Sequence, residues 1–466
     1  MKAYPEYTKA HLPWLQLIPI HWGMLRNKNI FCEAKDIVGD SANEYALLSL
    51  TIQGIIYRDV ASGKGKFPKD FNTYKIVKPG DMVFCLFDID ETPRTVGLSN
   101  YEGMLTGAYD IFHINNINPR FVYYYYLSLD NAKALRPLYT GLRKTIKINT
   151  FLSTKLPVPP RDEQDQIVRF LDWKVSSINK LISSYRHQIA LLDEMKQRRI
   201  DEAVIKGMRK SDLVHNDDIR WDIDYPIHWK IQRTRELFSF HKGLSITKAN
   251  LEESGIPVIN YGQIHSKKNT GVGLTQELIR YVNKSYLLTN QSCLVEKGDF
   301  IFADTSEDVA GCGNCVYIDC DDTIFAGYHS IIAHPDGSAN NKYLAYLFKS
   351  PTWRYQIRKK VNGVKVYSIT QKMLKDAFIL IPPIEEQEEI VKYLDSRCMK
   401  IDAAVIKAEE KIENLQGLKI SLIADVVTGK IDVRGIEIPE YEFVEEIGGD
   451  EVDEDATQDA TGDIEE

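Results

Sequence analysis

The chain has 466 residues, of which 44% are hydrophobic, and this length predicts two to four domains with substantial cores. No run approaches the ~18 consecutive apolar residues of a membrane span, and the first residues lack the apolar stretch of a signal peptide. The 7 cysteines, an odd number spread along the chain, favour reduced thiols and a cytoplasmic protein.

The formal net charge of −8 comes from one end of the sequence. Residues 437–466 hold 14 Asp and Glu and no Lys or Arg, so the remainder has 58 basic against 52 acidic side chains, a balance of +6. This mild positive charge suits a polyanionic partner. We expect the acidic stretch to be a disordered, solubilising tail, with DNA mimicry and partner docking as the alternatives.

The body of the sequence contains one unit twice. The matched segments, with their offsets, are Pro19–Trp22 with Pro226–Trp229 (207), Lys78–Phe84 with Glu296–Phe302 (218), Phe121–Tyr124 with Tyr343–Tyr346 (222) and Pro159–Gln164 with Pro382–Gln387 (223). The offset between matched residues increases along the chain, which indicates small insertions in the second unit, and such insertions belong in loops. Two copies are too few for a solenoid, so the repeat predicts two similar lobes related by a pseudo-twofold axis.

Each unit begins with a mixed region. The β-like runs Met82–Phe87 and Asp299–Ala303 lie between Gly, Asn and Asp turn signals. Helical runs follow at Phe121–Leu129 and Lys342–Lys349. Asp81 and Asp299 each follow a glycine, so we expect turn residues rather than metal-binding carboxylates. The pattern predicts an α+β globule of about 150 residues in each unit.

Each unit ends in a long helix. A Pro-Pro pair opens it, acidic residues occupy the positive end of its dipole, and a glycine, Gly207 or Gly429, ends it. Apolar residues spaced 4-3-4-3 form a narrow seam that requires a partner helix. The seams are Leu171, Val175, Ile178, Ile182, Tyr185, Ile189 and Leu192 in the first helix, and Leu394, Cys398, Ile401, Val405, Ala408, Ile412 and Leu415 in the second.

The two seams are expected to pack on each other. An antiparallel coiled coil within the chain would place one globule at each end of a rod, and a parallel homodimer of the whole chain is the alternative. The predicted fold class is therefore α+β, with two α/β domains separated by two long antiparallel helices. The expected boundaries are 1–158, 159–208, 209–381, 382–436 and, for the acidic tail, 437–466.

Signatures of catalysis are missing from the sequence. It contains neither a Walker A sequence nor a Gly-rich dinucleotide fingerprint, and Gly63–Lys66 is typical of a flexible basic loop. Both Pro-Pro pairs lack the Asn or Asp before them that adenine methyltransferases need. The His21-Trp22 and His228-Trp229 pairs are expected to seal domain cores, with a functional role as the alternative.

One cysteine cluster could hold a metal. Cys312 and Cys315 are spaced as half of a structural zinc site, and Cys320 follows five residues later. The other unit has no equivalent and no second pair is present, which favours a cysteine-rich turn. Zinc remains the alternative here, and no metal site is predicted.

The arrangement of these segments resembles the specificity subunit of Type I restriction–modification enzymes. The resemblance lies in Ile227–Trp229, Ile256–Ile259, Ile381–Gln387, Val427–Arg434 and the order of globule, Pro-Pro-x-x-Glu-Gln helix and glycine, repeated twice. It covers about residues 10–435. It implies two target recognition domains that read a bipartite, asymmetric DNA sequence, with the two helices as spacer.

The resemblance also implies the partners. Two modification subunits, which methylate adenine N6, would dock on the helices, and restriction subunits with nuclease and translocase activity would join them. S-adenosylmethionine, ATP and Mg would bind those partners, so the chain itself is expected to be non-catalytic and free of cofactors. Double-stranded DNA is the expected ligand.

Basic and polar residues in the globules are the candidates for DNA contacts, since Lys and Arg bind phosphates and Arg, Asn and Gln read bases. In the first unit they are Gln53, Arg58, Lys64, Lys66, Lys69, Arg94, Arg143, Lys144 and Lys147. In the second they are Lys242, Lys248, Asn260, Tyr261, Gln263, Lys267, Lys268, Arg354, Arg358, Lys359, Lys360 and Lys365. For any one of them a plain solvated residue is the alternative.

Two other functions remain open at this stage. A coiled-coil scaffold would join partners without reading DNA. A self-sufficient enzyme would need a site that the motifs above do not reveal. Salt-dependent DNA binding separates the first alternative from a DNA reader, because phosphate contacts release counterions.

Overall fold

The computed structural model describes residues 2–58, 71–139, 144–216, 218, 221–363 and 365–445. The chain forms two compact units. Unit 1 comprises Met1–Gln188 and Ala408–Glu466, and unit 2 comprises Ile189–Lys407. Both boundaries fall inside long helices, so each unit contains one part of each helix.

Unit 1 is built on a four-stranded antiparallel sheet of order β4-β11-β8-β9. Its strands are β1 Tyr7–Leu12, β2 Leu15–Pro19, β3 Gly23–Arg26, β4 Phe31–Ala34, β5 Leu48–Thr51, β6 Gly54–Tyr57, β7 Lys75–Val77, β8 Met82–Phe84, β9 Val96–Leu98, β10 Gly103–Leu105, β11 Asp110–Ile114 and β12 Lys155–Val158. Its helices are α1 Pro119–Asn131, α2 Ile148–Ser153 and the first part of α3 Arg161–Lys206.

Unit 2 has a matching sheet of order β16-β25-β21-β23 and a second, five-stranded sheet of order β17-β19-β18-β24-β20. Its strands are β13 Leu213–Asn216, β14 Ile223–Pro226, β15 Lys230–Arg233, β16 Phe238–Lys242, β17 Leu251–Glu252, β18 Ile256–Ile259, β19 Arg280–Val282, β20 Leu294–Val295, β21 Phe300–Ala303, β22 Thr305–Ser306, β23 Cys315–Tyr317, β24 Ile324–Ala326, β25 Ser330–Pro335, β26 Tyr367–Ser368 and β27 Phe378–Ile381. Its helices are α4 Thr234–Leu237, α5 Tyr261–Ile264, α6 Tyr286–Thr289, α7 Asn341–Lys349, α8 Pro351–Arg358, α9 Gln371–Lys375 and the first part of α10 Ile384–Val427.

The sequence repeat is confirmed as a structural repeat. In each unit the first strand after the His-Trp pair is antiparallel to the last strand before the Pro-Pro pair, as β3 with β12 and β15 with β27. The helices α1 and α7 occupy matching places, and both begin at an asparagine whose side chain accepts from two backbone N–H groups. The four-stranded sheets correspond strand by strand.

The Pro-Gly-Asp and Lys-Gly-Asp turns are structural, as predicted. Asp81 Oδ2 accepts from the Lys78 N–H at 2.8 Å, and Asp299 Oδ2 accepts from the Glu296 N–H at 2.6 Å. The other oxygen of each carboxylate contacts a histidine on the neighbouring strand, His113 in unit 1 and His334 in unit 2. Each aspartate therefore fixes the turn and ties it to the sheet.

The two long helices run antiparallel within each unit. In unit 1, Lys419 of α10 donates to Asn179 of α3 at 3.3 Å. In unit 2, Arg199 of α3 donates to Tyr393 of α10 at 3.1 Å, and Lys196 pairs with Asp402. Residue numbers along α3 rise as those along α10 fall. The predicted seam is buried at Leu171, Ile178, Ile182, Leu394, Cys398, Ile401 and Ala408.

The start of the acidic stretch is not the free tail that we expected. Ser176 Oγ of α3 donates to the Glu442 carbonyl at 2.8 Å and accepts from the Val444 N–H at 2.7 Å. Asn179 Nδ2 donates to the Val444 carbonyl at 3.0 Å, and the Arg120 guanidinium lies over the Phe443 ring. This segment therefore lies along α3, held by backbone hydrogen bonds at residues 442–444 and by the partly buried Ile438. The rest of the predicted tail, 446–466, lies outside the described residues.

Candidate nucleic-acid interface

In unit 2 three loop segments meet at one end of the four-stranded sheet. Residues 304–306 follow β21, and the Asp304 N–H donates to the His329 carbonyl at 3.1 Å in the turn before β25. The Ile369 N–H donates to the Asp304 carbonyl at 2.7 Å, and β22 pairs with β26. We call this surface the unit 2 end face, defined by Tyr261, His265, Asp304–Ser306, Tyr328–His329 and Lys365–Ser368.

Aromatic and polar groups are concentrated on the unit 2 end face. The Tyr261 ring lies 5.7 Å from that of Tyr328 and 5.6 Å from that of His329, measured between centroids. His329 Nδ1 lies 3.2 Å from a carboxylate oxygen of Asp304, and His265 Nε2 lies 2.8 Å from the Thr305 carbonyl oxygen. His329 is exposed and has a φ of 54°, a left-handed conformation that non-glycine residues adopt mainly where their surroundings hold them.

Unit 1 joins the equivalent segments differently. The Ile146 N–H donates to the Leu86 carbonyl at 2.8 Å, and Phe87 forms a bridge with Thr145. The Phe87 ring stacks on Tyr109, with centroids 6.4 Å apart. We call this surface the unit 1 end face, defined by Phe87–Asp88, Gly107–Tyr109 and Lys144–Lys147. It has the same backbone frame as its counterpart but other side chains.

Several predicted DNA contacts lie on or beside the end faces. Lys144 and Lys147 belong to the unit 1 face and are exposed, and Lys144 pairs with Glu91 at 2.6 Å. In unit 2 Tyr261 and Lys365 belong to the face. Lys242 is exposed at the end of β16, where the next residue donates to the Ser330 carbonyl. The unit 2 end face and its surroundings thus combine positive charge, aromatic rings and hydrogen-bonding groups.

Other predicted contacts are exposed or half-buried in places that the hydrogen bonds do not join to the end faces. Gln53 is exposed at the tip of the β5–β6 hairpin, and Arg58 is half-buried just after it. Lys248, Lys267 and Lys268 are exposed in loops of unit 2. The basic run Arg354–Lys360 was predicted to be helical. It is helical as far as Arg358, where α8 ends, and Lys359 and Lys360 follow the helix. Lys64, Lys66, Lys69 and Arg143 lie outside the described residues.

Five predicted contacts are instead part of the internal framework. Arg94 donates to the buried Asp130 carboxylate at 3.0 Å. Asn260 is fully buried and, with Gln263, forms a reciprocal cap at the start of α5. Arg354 Nε donates to the Phe348 carbonyl at 2.9 Å, and burial lowers its pKa to about 10. The Arg358 guanidinium donates to the Ala310 carbonyl. These side chains form hydrogen bonds within the protein, and their residue types alone did not reveal this role.

Residues that the sequence reasoning missed complete the end faces. They are Phe87 and Tyr109 in unit 1, and Asp304, Thr305, Tyr328 and His329 in unit 2. A usable signal was present, since Gly107-Ala108-Tyr109 and Gly327-Tyr328-His329 both place a glycine and an aromatic residue just before the strand that follows in each repeat. Only the fold shows that these turns face the segments after β8 and β21.

The cysteine cluster has no geometry for a metal in the part of the chain that the structure describes. No group of three or more His, Cys, Asp and Glu side chains there is arranged to hold a metal ion. Cys312 Sγ donates to the Asp308 carbonyl at 3.5 Å, and burial raises the pKa of Cys315 to about 12. Both thiols are therefore protonated at neutral pH and pack in the core of unit 2.

Among the helices of the described residues, none has the length and apolar character required to cross a membrane.

The chain matches relatives of one kind. It is 23% identical to the Type I restriction enzyme MjaVIII specificity subunit of Methanocaldococcus jannaschii, over 61% of this chain and 64% of that protein. It is 24% identical to the Type I restriction enzyme EcoKI specificity subunit of Escherichia coli strain K12, over 61% of this chain and 60% of that protein. The matches thus span less than two thirds of the length of both relatives.

The fold also has a close counterpart among solved structures. One chain from a structure concerned with complex assembly and conformational transition of the type I R-M system superimposes with a TM-score of 0.62 at 16% identity, covering 89% of this chain and 99% of that one. At this identity the likeness shows the fold alone. The family model for the Type I restriction modification DNA specificity domain matches residues 91–188 and 226–414, more than half of the chain and parts of both units. The chain therefore belongs to the Type I restriction modification DNA specificity domain family.

Proposed function

We propose that this chain is the non-catalytic specificity subunit of a Type I restriction–modification complex, and that each unit reads one part of a bipartite, asymmetric DNA target. The end faces are the reading surfaces. The target recognition regions are 1–158 and 209–381, and the parts of α3 and α10 between them form the spacer.

One observation carries this proposal. The two units share the same four-stranded frame, yet their end faces differ: Phe87 and Tyr109 in unit 1 correspond in place to Asp304, Thr305, Tyr328 and His329 in unit 2. A common frame that carries different, at least partly exposed side chains suits two readers of the same polymer that select different bases. Two unlike readers on one chain imply a target that is not palindromic.

The side chains of the end faces are chemically suited to the recognition of DNA bases. Asp304, Thr305 and His329 offer acceptors and donors that match base edges, and Tyr261 and Tyr328 offer apolar surface for thymine methyl groups and sugars. Lys242, Lys365, Lys144 and Lys147 supply charge for phosphates. The partners would be two modification subunits that methylate adenine N6 and the restriction subunits. They would bring S-adenosylmethionine, ATP and Mg.

The test is the adenine-methylation map of DNA from cells with and without this chain, with the partner methyltransferase present in both. We expect methylation that depends on the chain and falls in a two-part, non-palindromic motif. A double substitution, Tyr328→Ala with His329→Ala, should relax one half of the motif, and Phe87→Ala with Tyr109→Ala should relax the other. If an active partner methylates the same sites without the chain, the proposal is wrong.

A scaffold that joins partners is the second candidate, and it has an observation in its favour. Large apolar side chains are exposed on the long helices at Leu181, Leu191, Met399, Ile406 and Leu418. Such surfaces mark protein interfaces. The two roles are separated by DNA binding of the purified chain: a scaffold without a reading role would show no sequence preference and no steep salt dependence.

A further inference from the structure

The segment that follows each long helix takes a different course in the two units. After α10 the chain runs along α3, where Gln166 Nε2 donates to the Val433 and Ile436 carbonyls at 3.1 and 2.8 Å. After α3 it passes the start of α10, where Arg209 pairs with Glu389, the counterpart of Gln166 at the offset of 223. The likeness ends there, because the chain after α3 then forms β13, which pairs with β14.

One consequence is that equivalent helix positions differ in exposure. Ser176 of α3 is 1% exposed, since residues 442–444 of the chain's own end cover it. Its counterpart on α10, Met399, is 71% exposed, and Ile406 two turns further on is 55% exposed. A methionine that is open where its counterpart is covered, with an exposed isoleucine two turns away, marks an unfilled docking position.

The open position is a groove with its own charges. A cavity of about 460 Å³ lies between α10, the last turns of α3, α7 and the loop at residues 270–275. We call it the unit 2 groove; the side chains used below are Lys196, Lys349, Cys398, Met399, Asp402 and Ile406. Its lining is apolar at the buried Cys398 and at the exposed Met399 and Ile406.

The lysines of the unit 2 groove are not equally matched by carboxylates. Lys196 pairs with Asp402, and Lys342 beside the groove pairs with Asp395 at 2.8 Å. Lys349 donates to the neutral Thr270 carbonyl at 2.5 Å. Burial, together with the nearby charges of Lys196 and Arg354, lowers its pKa to about 8. A carboxylate from an incoming ligand would stabilise this ammonium.

We propose that the unit 2 groove docks an extended segment of a partner protein in which a large apolar side chain stands next to a carboxylate. The chain's own segment Glu440–Val444 is the precedent, because it alternates acidic and apolar residues on the equivalent face of α3. The two sites differ in how they hold the segment. Ser176 and Asn179 bind backbone groups. In the unit 2 groove Met399 replaces Ser176 and offers apolar contact, and Asp402 replaces Asn179 and is already paired with Lys196, which leaves the incoming charge to Lys349.

The test is a fluorescence anisotropy titration of the full chain with a labelled peptide of the sequence of residues 437–445. In the full chain the equivalent face of α3 is already covered, so an added peptide reports on the unit 2 groove. We expect saturable binding that Met399→Glu and Ile406→Glu each weaken by at least about tenfold. The matched control is Leu418→Glu on the same helix, an exposed apolar residue of unit 1, which should leave binding unchanged.

Because Met399 and Ile406 are exposed, the variants should fold, and unchanged melting temperatures would show it. A peptide with alanine at both aromatic positions should not bind. The absence of saturable binding to the full chain, or equal binding by the Met399→Glu and Leu418→Glu variants, would overturn the proposal. So would concentration-dependent dimers that both groove substitutions dissociate, since the occupant would then be a second copy of the chain.

Discussion

Gly429, which ends α10, lies directly against Pro19 at the start of unit 1. A Cβ placed at Gly429 would come within 2.3 Å of the Pro19 Cδ atom and 3.2 Å of the Trp22 ring. The backbone there has a φ of 75°, which disfavours residues with a Cβ. Gly207 ends α3 in the same way, against Trp229 in unit 2. The glycine that ends each helix is thus needed for conformation and for close packing.

Gly429→Ala should therefore destabilise the protein by roughly 2 kcal/mol or more, because strain and a clash with a rigid ring add together. Gly417→Ala is the matched control on the same helix. No atom lies within 4 Å of a Cβ there, so alanine should stabilise the helix by about 0.5–1 kcal/mol. Urea unfolding of both variants measures the difference, and equal midpoints would contradict the role assigned to Gly429.

Glu163 holds the start of α3 to the start of unit 1. Its buried carboxylate accepts from the Tyr4 hydroxyl at 2.5 Å and from Trp22 Nε1 at 3.0 Å, and it lies 2.8 Å from His21 Nε2. Glu163→Gln should cost about 2–4 kcal/mol of stability, since charge-assisted bonds are lost in a buried place. Asp162→Asn, at an exposed acid in the same first turn, controls for the helix dipole. Similar losses in both variants would argue against the carboxylate's role.

His334 makes a pH-dependent contribution to unit 2. Its hydrogen bond to Asp299, with 2.8 Å between Nδ1 and Oδ1, raises the pKa of its imidazole. A raised folded pKa means that the stabilisation is fully present below the unfolded pKa of about 6.5 and is lost as pH rises through the folded value. His334→Asn keeps an N–H donor but cannot become charged.

The stability difference between wild type and His334→Asn should accordingly be largest near pH ~6 and shrink at higher pH. Urea unfolding at a series of pH values measures it. His187→Asn, at an exposed histidine of α3, is the control. A difference that stays constant with pH would show that the ion pair does not contribute.

Positive charge on the unit 2 end face and beside it should set the salt dependence of DNA binding. If Lys242 and Lys365 contact phosphates, each substitution by glutamine makes the slope of log K against log salt less negative by about 0.9 and weakens binding to all sequences alike. Lys411→Gln, at an exposed lysine of α10, should leave the slope unchanged. Filter binding or anisotropy at several salt concentrations gives the slopes. Wild-type slopes for Lys242→Gln and Lys365→Gln would remove both from the interface.

The fold could be predicted from the sequence because its main features are periodic or repeated. The 4-3-4-3 seam predicts two helices that need each other, and matched segments at slowly growing offsets predict two similar units. The five-stranded sheet of unit 2 was not predicted, because its strands are short. In unit 1 the matching segments form the β5–β6 and β7–β10 pairs, which a bridge between Leu47 and Met104 joins. The course of residues 437–445 was also missed, since the composition does not reveal the hydrogen bonds that Ser176 and Asn179 form with the backbone of this segment.

The residues on and beside the end faces could be predicted only in part. Lys144, Lys147, Lys242 and Lys365 could be named because exposed basic residues are typical of DNA-binding loops. Arg94 and Asn260 were named on the same grounds, yet one pairs with a buried aspartate and the other caps a short helix. Residue type does not tell whether a polar group faces solvent or the protein. The cluster of Tyr261 and His329 joins residues far apart in sequence. The pairing of β18 with β24 and the bond from the Tyr261 N–H to the Tyr328 carbonyl bring them together.

The segment from residue 437 to 445 should stabilise unit 1. A chain that ends at Ile436 loses the hydrogen bonds of Ser176 and Asn179 to residues 442–444 and the Phe443 ring over Arg120. We expect a loss of about 1–3 kcal/mol, because buried polar groups lose their partners and apolar surface of α3 is exposed. A chain that ends at Glu445 is the comparator, since it keeps all of these contacts. Thermal unfolding of the two truncations decides the matter: equal stability would mean that the segment lies on α3 without contributing to the fold.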